Sequence, residues 1–169
     1  TGTGQNYAFR GLYIYDAAHT GIRIVGGAGT NTNVTVDGCT VNKAKRHGIE
    51  FSSNVSQGVI RGCYCESTNS ATVGASIYSG SDVSANNITV TGNVVKSSLD
   101  NGIRSTATNY VVANNVVDTT VGDGIRLTGP KQSCTGNTVR SCTGQGIKAE
   151  DGAGMTISGN TCSGCTESG

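Results

Sequence analysis

Apolar and polar residues alternate along this chain in short bursts that return at near-constant intervals. The bursts "RGLYI", "DGCTV", "RGCYC", "TGNVV", "ANNVV", "TGNTV" and "SGNTC" share one frame. With the third residue of each as an anchor, the anchors are Leu12, Cys39, Cys63, Asn93, Asn115, Asn137 and Asn160, spaced by 27, 24, 30, 22, 22 and 23 residues. Three residues before the anchor stand Phe9, Val36, Ile60, Val90, Val112, Cys134 and Ile157. Two after it stand Ile14, Val41, Cys65, Val95, Val117, Val139 and Cys162. Nine residues past the anchor comes a glycine (Gly21, Gly48, Gly102, Gly124, Gly146 and Gly169, with Gly74 displaced by two) that opens a third burst. Its inward candidates are Ile22, Ile49, Ala75, Ile103, Ile125 and Ile147, then Ile24, Phe51, Ile77, Ser105, Leu127 and Ala149. The period is two throughout, which predicts strands and not helices.

Three short strands per repeat suit a coil stacked on its own next copy, each strand pairing in parallel with its equivalent one repeat on. Core residues then form columns about 4.8 Å apart. Asn at the anchor tolerates a left-handed turn and can hydrogen-bond to the Asn above and below. Asn93, Asn115, Asn137 and Asn160 are therefore predicted to form an internal ladder. The fifth residue after the anchor is small in every repeat (Ala17, Ala44, Thr68, Ser98, Thr120, Cys142, Cys165), as a tight corner demands.

In these repeats the chain resembles the right-handed parallel β-helix superfamily, whose members include pectate-lyase-like polysaccharide lyases, alginate epimerases and phage tailspikes. The expected fold is all-β: a right-handed single-stranded parallel β-helix, a solenoid of about six to seven coils of 22–30 residues. Residues 1–169 read as one solenoid segment, and Gly169 falls where the next glycine strand begins, so the segment is expected to be a fragment of a longer chain.

Composition narrows the function. Gly is 26 of 169 residues, Pro is 1, Trp is absent and charged residues are 14%, a scaffold of strands and turns. A formal net charge of +1 gives no general electrostatic case for nucleic acid. No apolar run reaches spanning length, so membrane insertion is not expected. Seven cysteines, an odd number without paired metal-type spacing, predict buried free thiols, no metal and no cofactor. "CSGC" at Cys162 to Cys165 matches core and corner positions. Reduced thiols fit folding in a bacterial cytoplasm, followed by residence in a virion tail or outside the cell.

Candidate chemistry lies on the outward positions. Between the two inward residues of the glycine strand run Arg23, Glu50, Ser76, Arg104, Arg126 and Lys148. Stacked like charges repel unless an anion lies against them, so Arg104, Arg126 and Lys148, with Arg23, are candidates to position an acidic polymer. The same cations also suit a solvated face that discourages sideways association. Before the glycine stand His47, Asn101 and Asp123, with Asp100 one further out. Asp100 and Asp123 in adjacent coils, with Glu50, are the candidate acid, base or nucleophile, and His47 a candidate substrate contact. Asp and Asn before glycine are equally ordinary turn residues. The first three coils carry longer loops, "VGGAGTNTN", "SSNVSQG" and "YSGSDVSANN", predicted to build one wall of the solenoid. Tyr64, equivalent to Tyr13, and Tyr78 beside a loop are candidates for stacking on sugar rings.

The resemblance implies carbohydrate recognition, with a bacterial surface polysaccharide as partner and a homotrimeric phage tailspike or receptor-binding protein as setting. A secreted lyase or epimerase module on a uronate polymer, and a purely structural trimeric shaft, are the alternatives. Whether the chain depolymerises a glycan is left open at this stage.

Overall fold

The computed structural model describes residues 6–26, 31–68, 74–80 and 85–167. Its strands stack in parallel into three sheets that wind round one interior, a parallel β-helix of about six coils. Sheet 1 stacks Tyr7–Arg10, Val34–Asp37, Val59–Arg61, Asn86–Thr91, Thr108–Ala113, Ser133–Thr135 and Thr156–Ser158. A shorter pair, Asn31–Thr32 and Val55–Ser56, extends it in the early coils. Sheet 2 stacks Tyr13–Tyr15, Thr40–Asn42, Tyr64–Glu66, Val94–Ser98, Val116–Thr120, Thr138–Cys142 and Thr161–Ser163. Sheet 3 stacks Ile22–Ile24, Ile49–Phe51, Ala75–Ser79, Asn101–Ser105, Ile125–Leu127 and Ile147–Ala149.

The two apolar columns around the anchor run as the sequence predicts. Val36, Ile60, Val90, Val112 and Cys134 are register partners in sheet 1, and Val41, Cys65, Val95, Val117 and Val139 in sheet 2. All of these side chains are buried. Between the sheets lies the predicted ladder. Nδ2 of Asn93 donates to Oδ1 of Asn115 (3.0 Å), Asn115 to Asn137 (3.0 Å) and Asn137 to Asn160 (2.9 Å). The backbone N–H of each of the three donates to the same oxygen at 2.9 Å. A second Nδ2 bond reaches back to a carbonyl, Ile60 O from Asn93, Val90 O from Asn115 and Val112 O from Asn137. Cys63 and Cys39 occupy the ladder's earlier rungs, their Sγ pointing at Val36 O and Phe9 O in place of the amide.

The left-handed turn sits one residue before the expected position. Gly92, Asn114, Gly136 and Gly159 have positive φ, whereas Asn93, Asn115 and Asn137 do not. The anchor asparagine keeps extended backbone because its side chain must point along the solenoid axis. The corner column of small residues is buried from Ala44 to Cys142. Each member follows a left-handed residue: Asp16, Lys43, Ser67, Ser97, Thr119, Ser141 and Gly164.

Sheet 3 corrects the sequence reading in one coil. Ile77, not Ala75, pairs with Ile49 and Ile103, and Ser79, not Ile77, pairs with Phe51 and Ser105. Ser76 therefore stands where other coils have glycine, with its hydroxyl bonded to Thr68 Oγ1 inside the core. Gly74 is not the repeat glycine of its coil, and the outward position given to Ser76 belongs to Tyr78. The repeat glycines are also not turn residues: Gly124 lacks positive φ, but a Cβ there would lie 2.3 Å from Val139 Cγ1 and 2.6 Å from Gly146 O. At Gly124 the next coil passes too close for a side chain. Gly169, and parts of the first and third long loops, lie outside the described residues.

Candidate functional site

An extended strand turns alternate side chains outward, and parallel pairing in register stacks those side chains in a line. In sheet 3 the outward line is Arg23, Glu50, Tyr78, Arg104, Arg126 and Lys148, each the register partner of the next. The line changes character along its length.

At its first end the charges are matched internally. Glu50, with a side chain 2% exposed, lies 3.2 Å from Arg23 Nε and accepts a bond from Thr20 Oγ1 at 3.3 Å. Next comes a ring stack. His47 and Tyr78 lie 4.8 Å apart, 10° from parallel, and Arg104 sits over Tyr78 at 5.9 Å. His47 Nδ1 faces the amide and carbonyl of Ala75, each at 3.2 Å. Burial lowers the His47 pKa below the ordinary imidazole value, opposed by the Glu50 carboxylate. Burial likewise raises the Tyr78 phenol. Tyr78 contacts both His47 and Arg104 through its ring, so its faces are committed to the protein and only its edge is left for a ligand.

The other end is cationic. Arg126 Nη2 lies 2.8 Å and Lys148 Nζ 2.9 Å from the two oxygens of Glu150. These two cations hold the Glu150 carboxyl below its ordinary value. Arg104 has no carboxylate partner among the described residues. Nε of Arg104 and Nε of Arg126 are both shut off from solvent with no hydrogen-bond partner.

The candidate carboxylates do something different. Asp100 Oδ2 accepts the Gly74 N–H at 2.8 Å and its Oδ1 accepts from Asn101 Nδ2 at 2.9 Å. Asn101 Oδ1 accepts the Asp123 N–H (3.2 Å), and Asp123 Oδ1 accepts the Gln145 N–H (3.0 Å). These side chains satisfy the backbone where sheet 2 turns into sheet 3, the geometry of turn-making. Glu50 lies across sheet 3 at the paired end of the outward line. Tyr64 is on another sheet, in line with Thr40 and Val94 in sheet 2, away from the cations.

The structure thus brings Arg23, Glu50, His47, Tyr78, Arg104, Arg126 and Lys148 to one face and leaves Tyr64 apart. Glu150 is the member that sequence reasoning missed. Its signal was present: a carboxylate two residues after Lys148 lies on the same side of an extended chain.

Beyond the site, thiols fill structural positions. Burial pushes Cys63 up to about 11, Cys134 and Cys142 up to about 12, and Cys65 higher still.

A family model described as "Periplasmic copper-binding protein (NosD)" matches residues 31–169. No curated protein matches the sequence. Among solved structures, PfbA, a surface adhesin of Streptococcus pneumoniae, is similar at TM-score 0.52 and 10% identity, over 96% of this chain and 46% of that one. Geobacillus virus E2 ORF18 aligns at TM-score 0.47 and 14% identity, over 95% and 43%. The A-module of the Azotobacter vinelandii mannuronan C-5 epimerase AlgE6 aligns at 0.43 and 13%, over 93% and 58%. The chain spans about half the length of these structures, and the adhesin match shows a common fold.

Proposed function

This chain belongs to the family described as periplasmic copper-binding protein (NosD), and we propose that it binds an acidic polysaccharide across the outward face of sheet 3. The observation that carries the reading is the registered line Arg104, Arg126, Lys148, in which Arg104 has no carboxylate partner among the described residues. A guanidinium offers a carboxylate two parallel N–H bonds. A polymer with repeated carboxylates presents such acceptors at successive strands. Asp100 and Asp123 accept hydrogen bonds from backbone N–H groups, which supports binding without cleavage.

Copper, the ion in the family's description, does not fit the donors present. Among the described residues no three His, Cys, Asp or Glu side chains converge into a metal-holding group. A thiol must lose its proton to bind a metal, and burial holds the core thiols in the protonated form at neutral pH. His47 is buried against Ala75 and Tyr78.

A second reading, the structural shaft, has its own observation. In its later coils the outward positions of sheet 1 carry Thr89 and Thr91, Val111 and Ala113, Ser133 and Thr135, then Thr156 and Ser158, a stretch without charge beyond the ion-paired Arg10, Asp37 and Arg61 of the earlier coils. Such a face suits contact with another copy, and the homotrimeric phage-tail setting belongs to this reading. The mass in solution tests it: a trimer supports it and a monomer overturns it.

The ligand reading is tested by migration through native gels cast with polygalacturonate, alginate or neutral dextran. Retardation by the two uronates, weakening with salt, is expected. Equal migration in all three gels would overturn it.

A further inference from the structure

The cationic end of sheet 3 already holds one carboxylate, and it is the protein's own. Glu150 follows the strand Ile147–Ala149 and returns over its outward side, one oxygen on Arg126 Nη2 and the other on Lys148 Nζ, at 2.8 and 2.9 Å. Its backbone N–H is tied to Leu127 O at 2.9 Å, which fixes where the side chain starts. Both of its oxygens are spent on the two cations that an acidic ligand would seek.

Arg104, one coil earlier, is different. Its guanidinium rests over Tyr78, has no carboxylate among the described residues, and keeps an Nε–H without an acceptor. Arg126 uses Nη2 for Glu150 and also keeps its Nε–H unpartnered. Both Nε–H groups are shut off from solvent and out of a ligand's reach, so the cation of the line left open among the described residues is Arg104, whereas Arg126 and Lys148 are occupied by Glu150.

We propose that Glu150 is a built-in competitor for the cation ladder, a carboxylate seated on two rungs as a ligand carboxylate would be, so that an acidic polymer docks first at Arg104 and gains Arg126 and Lys148 only by displacing it. The proposal rests on the ligand reading above and adds a residue that sets affinity and charge preference. Exposed ion pairs are individually weak, so Glu150 yields to a polymer that offers several carboxylates at once but not to a monovalent acid. A polyuronate is the class of ligand this favours, since its chain supplies neighbouring carboxylates at high effective concentration.

The test is titration of the protein with a defined oligogalacturonate and with monomeric galacturonate, comparing the unaltered chain with Glu150→Gln, Arg104→Gln and the control Arg140→Gln on sheet 2. Thermal melts verify that each variant folds. Glu150→Gln is expected to tighten oligomer binding about two- to fivefold, Arg104→Gln to weaken it by a similar factor, and Arg140→Gln to leave it unchanged. Oligomer binding that Arg104→Gln weakens and Glu150→Gln leaves unchanged or weakens overturns the competitor alone. Failure of the unaltered chain and of Glu150→Gln to bind the oligomer overturns the ligand reading, and the competitor with it.

Discussion

Two ladders run through this molecule at the same spacing, one residue per coil. Asn93, Asn115, Asn137 and Asn160 stack inside, and Arg104, Arg126 and Lys148 stack outside on sheet 3. Inside, each interior amide accepts two bonds from the preceding rung and donates to the next rung and to a carbonyl. Outside, like charges stack, Arg126 and Lys148 share Glu150, and Arg104 has no carboxylate partner among the described residues. The same repeat thus produces a closed network where the chain meets itself and an open one where it meets solvent. A polar column that satisfies itself holds the fold together, and one that does not is available for a partner.

The largest effect should come from breaking the inner ladder. Asn115→Ala orphans the N–H of Asn93, takes one of the two acceptors from its Nδ2 and removes the Nδ2 donor to Val90 O, and each buried group left unmet costs about 1–3 kcal/mol. The denaturant midpoint should fall by the equivalent of about 3 kcal/mol or more. Next is Gly124→Ala, which forces a methyl against Val139 and the Gly146 carbonyl and should cost about 1–3 kcal/mol by the same measurement. Cys63→Asn extends the ladder by one rung. It should be tolerated and raise stability by up to about 1 kcal/mol, because an amide replaces a weak thiol donor to Val36 O.

A smaller effect should appear with pH. His47 is buried with a pKa below the ordinary 6.5. The unfolded chain takes up its proton first as pH falls, so His47 costs nothing above about 6.5 and removes stability progressively below it. Asp37 and Glu150, held low by Arg61 and by Lys148 with Arg126, stay ionised through that window. Melting temperature should fall between pH 7 and pH 5, and His47→Gln should flatten the slope; an unchanged slope would remove His47 from the account. Smallest of all, Arg104→Gln should move stability by no more than about 0.5 kcal/mol, as expected for a side chain without an ion-pair partner.

How far this was legible from sequence differs between the ladders. The inner columns were legible because apolar alternation and the recurring Asn have one physical solution, stacking in register. The third sheet was legible only where glycine marked it. At Ser76 a small hydroxyl found Thr68 inside the core and took glycine's place, so a reading keyed to glycine slipped by two residues and put Ser76 where Tyr78 stands. Asp100 and Asp123 looked alike as catalysts and as turn-makers, since nothing in sequence says which N–H a carboxylate will meet. Glu150 escaped notice because it follows its strand, and its partner Arg126 comes from the preceding coil.

The central claim is that the outer ladder is a ligand face and the inner one is not. It is tested most directly by calorimetric titration of Arg104→Gln/Arg126→Gln with oligogalacturonate, alongside its denaturation midpoint. At least about a tenfold loss of affinity, from two charge-assisted contacts, is expected with the midpoint nearly unchanged. Unchanged affinity in a folded double variant would contradict it.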